Sequence, residues 1–415
     1  MARFMNKGGL PAVLGISLLT VWGASTVHAQ EGVLSTDAWL VLRSDKVLGQ
    51  RERFGTLSET AAGVGVGYSL GNMSSRLVLN FDDENDLTLD GSFIQYTAGI
   101  ATFGVGAVDR HWSYSPRTSL ILSSNARPTA SVYMKLDADE APRARFLSWM
   151  GPWSFEFFNG VTESSVNPDD SMVMGMRLTM APVAGLELEF VRTAHWGGSG
   201  YDSGWSGFTD ALFANTNEGS AANIDQLAGI GFSYKLPETI APIRLYGQII
   251  GEDEAGGLPN CFMHLAGLEW TGAISGRPTV LGLEYVDTRI KRTSGGYCGP
   301  NTAYNNNTYQ YTNDDVVMGA PIDTEGTSLE VFGVTQLSPI LNLDYSLGYV
   351  VVNDANWGGH RLSSTREEGW TGSVGLSWQR DALQIRGGLS YQEFDLDRAD
   401  IPSGVSVGVA ASMSF

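Results

Sequence analysis

Apolar and polar side chains alternate with a period of two from about residue 60 to the end of the chain, and helical spacing is hard to find there. The last segment shows this most clearly. Val405, Val407, Val409, Ala411, Met413 and Phe415 share one face, against Ser406, Gly408, Ala410, Ser412 and Ser414. In 341–352, Leu341, Leu343, Tyr345, Leu347, Tyr349 and Val351 oppose Asn342, Asp344, Ser346 and Gly348. Segments 383–392 and 242–250 behave alike, with Gln384 and Arg386, or Arg244 and Gln248, on the polar face. A soluble sandwich also alternates, so length has to decide. These segments run about 9–12 residues, enough for a tilted strand to cross a bilayer, against about 5–6 in soluble proteins.

The connections alternate too. Those near 71–73, 99–100, 182–183, 237–241, 273–277, 337–339 and 380–381 are short. Those at 82–90, 109–128, 161–169, 194–226, 251–261, 289–326, 353–367 and 395–402 are long. Short turns on one rim and long loops on the other characterise outer-membrane barrels. Counting back from Phe415 gives roughly seventeen segments, and single-chain bacterial barrels have even numbers. The expected fold is all-β: a closed antiparallel transmembrane β-barrel of about 18 strands over residues 62–415. The remaining strand is Ala38–Arg43 or lies within 109–150.

The barrel interior inherits the polar face, so Arg76, Asn80, Arg244, Gln248, Glu284, Asp344, Gln384 and Arg386 should point inward. Trp270, Trp370, Trp378 and Tyr349, near strand ends, suit aromatic girdles at the headgroups. Residues 1–29 read as an export signal: Arg3 and Lys7 precede an apolar run from Leu10 to Ser25, and Val27-His28-Ala29 suits cleavage. Residues 30–61 are left as a periplasmic N-terminal segment with room for one or two short helices.

Charge and chemistry narrow the function. A formal net charge of −19 argues against nucleic acid as a partner. The two cysteines, Cys261 and Cys298, form an even pair in an oxidising compartment and read as one disulfide between external loops. They lack the close pairing of zinc motifs, and no metal or other cofactor is expected. Catalytic signatures are absent: the chain has no G-x-S-x-G elbow, H-E-x-x-H pair or phosphate-binding loop, and an enzyme is not expected. The acidic run Asp82-Asp83-Glu84-Asn85-Asp86 lacks the glycine and terminal glutamate of a calcium loop and reads as a solvated tip. Trp196, Tyr201, Trp205 and Phe208 sit among glycines and serines. They either stack on an external ligand such as sugar rings or pack their loop against the barrel.

Several stretches resemble the capsule-assembly (Wzi-type) outer-membrane proteins. They are Ser119-Leu-Ile-Leu-Ser-Ser-Asn-Ala-Arg-Pro128; Phe146-Leu-Ser-Trp-Met-Gly-Pro-Trp-Ser-Phe-Glu-Phe-Phe158; Asn223 with Gln226-Leu-Ala-Gly229; Leu245 to Pro259; and Leu283-Glu-Tyr-Val-Asp-Thr288. The resemblance implies an eighteen-stranded barrel with a helical periplasmic plug and lectin-like binding of surface polysaccharide. Two features depart from the family pattern. Arg110-His-Trp-Ser-Tyr-Ser-Pro116 stands where the family has a Trp-Trp-Gly-Pro-Gly type sequence, and residues 30–61 are short for the full helical bundle.

The candidate polysaccharide contacts are Trp112, Asn125, Arg127, Gln248, Glu252 and Glu284. Asn125 and Arg127 offer donors to the hydroxyls or carboxylates of an acidic glycan. Arg127 could equally pair with an inward carboxylate such as Glu284 and brace the lumen. Gln248 and Glu252 share one strand parity from lumen to outer rim. The expected partners are capsular or other surface polysaccharide, outer-membrane lipid and lipopolysaccharide, and the barrel-assembly machinery. A general diffusion porin is the competing function.

Overall fold

In a computed structural model, which describes residues 32–49, 58–83, 87–213, 223–254, 259–292 and 298–415, the alternation closes into a cylinder. The expected signal peptide lies outside the described residues. The first strands are β1 Val33–Arg43, β2 Thr60–Leu70, β3 Met73–Asp82, β4 Phe93–Ala98, β5 Ala101–Ala107 and β6 Ala130–Ala138. Next come β7 Trp153–Val161, β8 Met172–Val183, β9 Leu186–Trp196, β10 Asp225–Lys235, β11 Ile243–Glu254, β12 Pro259–Ile274 and β13 Arg277–Asp287. A small hairpin, β14 Thr312–Asn313 and β15 Val316–Val317, stands apart from the wall. The wall resumes with β16 Thr327–Ser338, β17 Leu341–Val352, β18 Glu367–Arg380, β19 Leu383–Gln392 and β20 Gly404–Ser414. The wall is one 18-stranded sheet, and β1 pairs antiparallel with both β2 and β20, which closes it.

The faces sort as the alternation predicts. On β20, Val405, Val407 and Val409 are exposed outside, while Ser406 is buried inside. Outward aromatics gather at two heights. Tyr349 and Trp370 pair across β17 and β18 near the long-loop rim, with ring centroids 5.5 Å apart, and Trp270 and Trp378 sit near the opposite ends of their strands. Inside, arginines meet carboxylates across the wall: Arg76 with Asp37 at 2.6 Å, Arg177 with Glu189 at 2.8 Å, and Arg244 with Glu269. A charge in the lumen keeps a partner that hydrocarbon could not supply.

Two expectations about boundaries are corrected. The barrel begins at Val33 rather than at residue 62, and residues 33–43 form no periplasmic helix. Trp39 and Val41 bury inward while Leu40 and Leu42 face out, and Asp37 supplies the partner for Arg76. The described residues 44–49 and 58–59 therefore lie at the long-loop rim. The short-turn rim also carries one longer link, residues 139–152, which holds a single 3-10 turn at Ser148–Met150. A nine-residue helix, α1 Trp205–Phe213, lies between β9 and β10 on the long-loop side. No helical periplasmic bundle occurs among the described residues.

Closure rests on the last residues: the Phe415 amide donates to the Thr36 carbonyl at 2.8 Å, and the Thr36 amide donates back at 3.5 Å. Folded protein should therefore migrate faster in gels unheated than heated, and deleting Phe415 should lower the fast-migrating fraction. Equal folded yield with and without Phe415 would contradict this role.

Candidate functional site

The apolar core sits inside the cylinder, where two long connections fold into its mouth. Residues 108–129, here L3, turn inward instead of standing in solvent. Trp112, Leu120, Ile121 and Leu122 bury against Phe158, Val173, Val191, Tyr246 and Ile250 of the inner wall. Small residues make the room: a Cβ on Gly175 would lie 2.7 Å from the Trp112 ring. The Trp112 ring also meets Phe158 edge-on at 5.5 Å. The described residues of the connection after β13, 288–292 and 298–326 (here L7), close over L3, and Tyr304 and Tyr311 are fully buried between them.

Polar side chains of the wall bind the L3 backbone directly. Gln248 on β11 donates to the Trp112 carbonyl at 2.7 Å and to Glu189 at 3.0 Å, and its oxygen accepts from the Leu120 amide at 2.8 Å. Glu284 on β13 accepts from Ser115 of L3 and, at 2.9 Å, from Tyr246. Arg244 donates to the Tyr114 carbonyl at 2.8 Å. Arg110 pairs with Glu156 at 2.8 Å, and Arg117 with Glu330 at 2.6 Å.

L7 is tied down from every side. The Cys261–Cys298 disulfide joins it to the upper end of β12, with Cα atoms 5.3 Å apart. Closing a span of 37 residues stabilises by about 4 kcal/mol in the chain-entropy account. Asn125 of L3 donates to the Val317 carbonyl at 2.8 Å, and Tyr304 donates to the Leu120 carbonyl at 2.8 Å. Arg127 holds Asp90 at 2.7 Å and Asp314 at 3.4 Å, and these two charges and hydrogen bonds outweigh burial and raise its pKa. Asp315 accepts from the hydroxyls of Ser164 and Ser165, both at 2.6 Å. Tyr309 stacks on His195 at 4.7 Å and donates to the Gly197 carbonyl at 2.7 Å.

The next connection, residues 353–366 (L8), clamps L7 through Arg361, which grips Asp323, one bond measuring 2.7 Å. Burial alone would push the Asp323 pKa up, but the Arg361 charge and hydrogen bonds hold it below the ordinary carboxylate value. His360 is buried beside this pair. Its Nε2 lies 3.0 Å from the Thr324 carbonyl, and its Nδ1 accepts from the Leu362 amide at 3.1 Å, which assigns the neutral Nε2–H tautomer. Burial lowers its pKa.

The six candidate contacts therefore gather at one plug, but they face each other and not the outside. Trp112, Asn125, Gln248, Glu252 and Glu284 are buried, and Arg127 is partly so. Arg127 does brace the mouth, though its partners are Asp90 and Asp314 and not Glu284. Glu252 is enclosed within electrostatic reach of Tyr304 and Tyr311. Sequence reasoning missed Arg117, Asp323, Arg361 and the L7 tyrosines. The available signal was the stretch Tyr304-Asn-Asn-Asn-Thr-Tyr-Gln-Tyr311, too rich in rings and amides for an idle loop. On the other side of L3 the lumen retains a cavity of about 670 Å³, lined by Asp37, Arg76, Asp109, Gln384 and Arg386 among others.

Two outcomes follow from the plug. Gln248→Ala strands the Leu120 amide and the Trp112 carbonyl in a buried site, at a cost of about 1–3 kcal/mol. L3 should become protease-sensitive and the barrel should melt earlier, whereas a variant as stable as the parent would remove Gln248 from this role. Acid should loosen L7 from L8 in two stages. His360 binds its proton more readily in the unfolded chain, so stability falls as the pH drops below about 6.5. Asp323 keeps its contribution until the pH falls through its depressed pKa, below about 3.9. Limited proteolysis of L7 against pH reads both stages, and His360→Asn should erase the first.

Known proteins share this architecture. A sequence profile described as "Capsule assembly protein Wzi" matches residues 27–401. A Klebsiella pneumoniae relative, "Uncharacterized 55.8 kDa protein in cps region", is 34% identical over 166 residues. That match takes in 40% of this chain and only 33% of the relative. Among solved structures, the Escherichia coli outer-membrane protein Wzi, described as involved in group 1 capsule assembly and as a carbohydrate-binding β-barrel, superposes with a TM-score of 0.77. The superposition covers 93% of this chain and 84% of that one at 22% identity, which speaks for the fold. The Acinetobacter baumannii protein OccAB3 aligns more loosely, with a TM-score of 0.53, 10% identity, and coverage of 93% and 99%. With the profile spanning nearly all of the barrel, the chain belongs to the Wzi capsule-assembly family of outer-membrane β-barrels.

Proposed function

We propose that this barrel binds capsular polysaccharide from outside the cell and holds it at the surface during capsule assembly. The observation that carries the reading is the filled mouth. L3 and L7 form a buried, cross-linked plug on which exposed loops stand. A platform already ordered before the ligand arrives loses little further entropy on binding. Trp112, Asn125, Arg127, Gln248, Glu252 and Glu284 act through that platform, by fixing its shape.

Direct contact falls to the rim, and L8 offers the best-equipped place. Trp357 is 37% exposed, and its neighbours Asn356 and Gly358 are held from Arg366 and Arg398. The Arg366 amide donates to Asn356, and the Arg398 guanidinium donates to the Gly358 carbonyl. A flat, exposed ring on a loop held in place at both neighbouring residues suits a sugar face. The family relation and the carbohydrate binding described for the E. coli protein support the ligand class. No catalytic step is assigned.

The remaining luminal cavity favours a second reading, a diffusion pore, and conductance through planar bilayers tests it. In the binding reading, deleting the gene leaves polymer synthesis intact while polysaccharide is shed into the medium. Trp357→Ala should weaken binding of short capsular oligosaccharides roughly three- to tenfold, the equivalent of about 0.5–1.5 kcal/mol for one lost stacking contact. Short ligands are needed because a polymer engaging many sites masks such losses. Parent-like affinity in that variant would remove L8 as the contact surface. Unchanged capsule attachment in the deletion strain would remove the function itself.

A further inference from the structure

Helix α1 belongs to an outer loop but does not sit over the mouth. Side-chain parity fixes its position. On β9, Glu189, Val191, Thr193 and His195 are buried on the luminal side, so Arg192, Ala194 and Trp196 point out of the barrel. Met174 of β8 and Phe157 of β7 also point outward, next in register to the luminal Val173 and Phe158. α1 packs on this outer group. Ala211 is buried with Met174, Ala194 and Trp196, while Phe208 meets Trp196 at 5.9 Å and Phe157 at 6.5 Å. The helix therefore lies flat on the external wall.

What it covers is polar. Arg192 would be a charged side chain on the outer surface, with Gln226 beside it on β10. Under the helix, Arg192 donates to the Ala211 carbonyl at 2.5 Å and to the Leu212 carbonyl at 3.4 Å, and also to Gln226. A guanidinium is thus set against the last carbonyls of α1, where the helix dipole favours a cation. Asn159, another outward polar residue, accepts from the Trp196 indole at 3.1 Å. Directly below on the same wall, Phe190, Ile230 and Phe232 are exposed and apolar. The covered polar patch thus begins where the apolar belt ends.

The exposed surface of α1 divides into two rows. Trp205, Thr209 and Phe213 are spaced by four and form one row, and Trp205 and Phe213 are among the most exposed aromatics of the protein, at 78% and 76%. Ser206 and Asp210 form the neighbouring row, which is polar. Apolar surface thus runs from the wall-facing side of the helix to the Trp205 row, and polar surface takes the remaining arc. That pattern, on the upper margin of an apolar belt, is what a helix lying in the headgroup boundary requires.

We propose that α1 is a membrane-interface helix: it seats Trp205 and Phe213 in the outer leaflet beside the barrel, turns Ser206 and Asp210 to water, and seals the outward Arg192 from lipid. The partner is the lipid surface itself, and the contact extends the lipid-facing belt of β9 and β10. The helix is thereby held down at the flank of the barrel, while Gly197, Tyr201 and Asn223 on either side of it in sequence contact L7.

Single-cysteine labelling tests this directly, because the chain's two cysteines are bonded to each other and an introduced thiol is the one free site. Trp205→Cys, Phe213→Cys and Ser206→Cys variants carry a nitroxide and are reconstituted into phosphatidylethanolamine–phosphatidylglycerol vesicles. Heat-modifiable migration first confirms that each barrel is intact. Labels at 205 and 213 should collide more with dissolved oxygen than with a water-soluble nickel chelate, and the label at 206 should show the reverse. Arg192→Ala should shift 205 and 213 towards the chelate while the barrel stays folded, and Arg192→Lys should restore part of the contact. Equal chelate access at all three positions would place the helix in water and overturn the proposal. Protection that appears only at high protein-to-lipid ratio would also overturn it, in favour of a second copy of the chain as the occupant.

Discussion

A strand that crosses hydrocarbon finds no solvent for its amides and carbonyls, so a neighbouring strand has to satisfy every one of them. In this chain that demand brings β1 and β20 together, and with them the first described residues and the last. Closure then dictates the rest. Each strand must turn one face to lipid and the other inward, so charge collects in the lumen and is neutralised there by cross-strand pairs such as Arg76 with Asp37. A wide cylinder also leaves an interior that wall side chains alone do not fill. L3 and L7 supply the missing atoms, and Gln248 and Glu284 supply the polar groups that let L3 backbone enter without losing its hydrogen bonds.

How much of this was legible depended on the distance over which each feature is encoded. Strands such as 341–352 and 404–414 carry their faces in their own alternation, and their directions came out as expected. β1 was harder to see because its inward side holds Trp39 and Val41 as well as Asp37, so hydrophobicity does not separate its two faces. Gln248 and Glu284 were correctly placed inward by parity. Their task was not readable, since it depends on the path of L3, which is set by contacts more than a hundred residues away. Arg127 shows the same limit. Its charge announced a brace, but Asp90 and Asp314 are on loops whose positions no local pattern records.

The plug also separates two kinds of residue that a motif reading merges. Side chains such as Asn125 and Gln248 occur in family-like stretches, and they are sealed within the fold. Exposed side chains such as Trp357, which the proposed function assigns to the ligand, stand on loops with no such signature. Family-like sequence in this barrel therefore marks the scaffold more than the contact surface. Ligand preference could change through a few rim substitutions while the buried network stays as it is.

The plug is anchored unevenly around the cylinder. L3 hydrogen-bonds to β7, β11, β13 and β16, and also to β6 through Arg110 on Ser131 and to β9 through Tyr114 on the Leu188 carbonyl, while β1 and β20 border the residual cavity. The seam thus lies on the emptier side. The edge along which β1 and β20 meet therefore faces open lumen where the other half of the wall faces plug, so the closing strands hold to each other by their own backbone ladder and owe little to the filling.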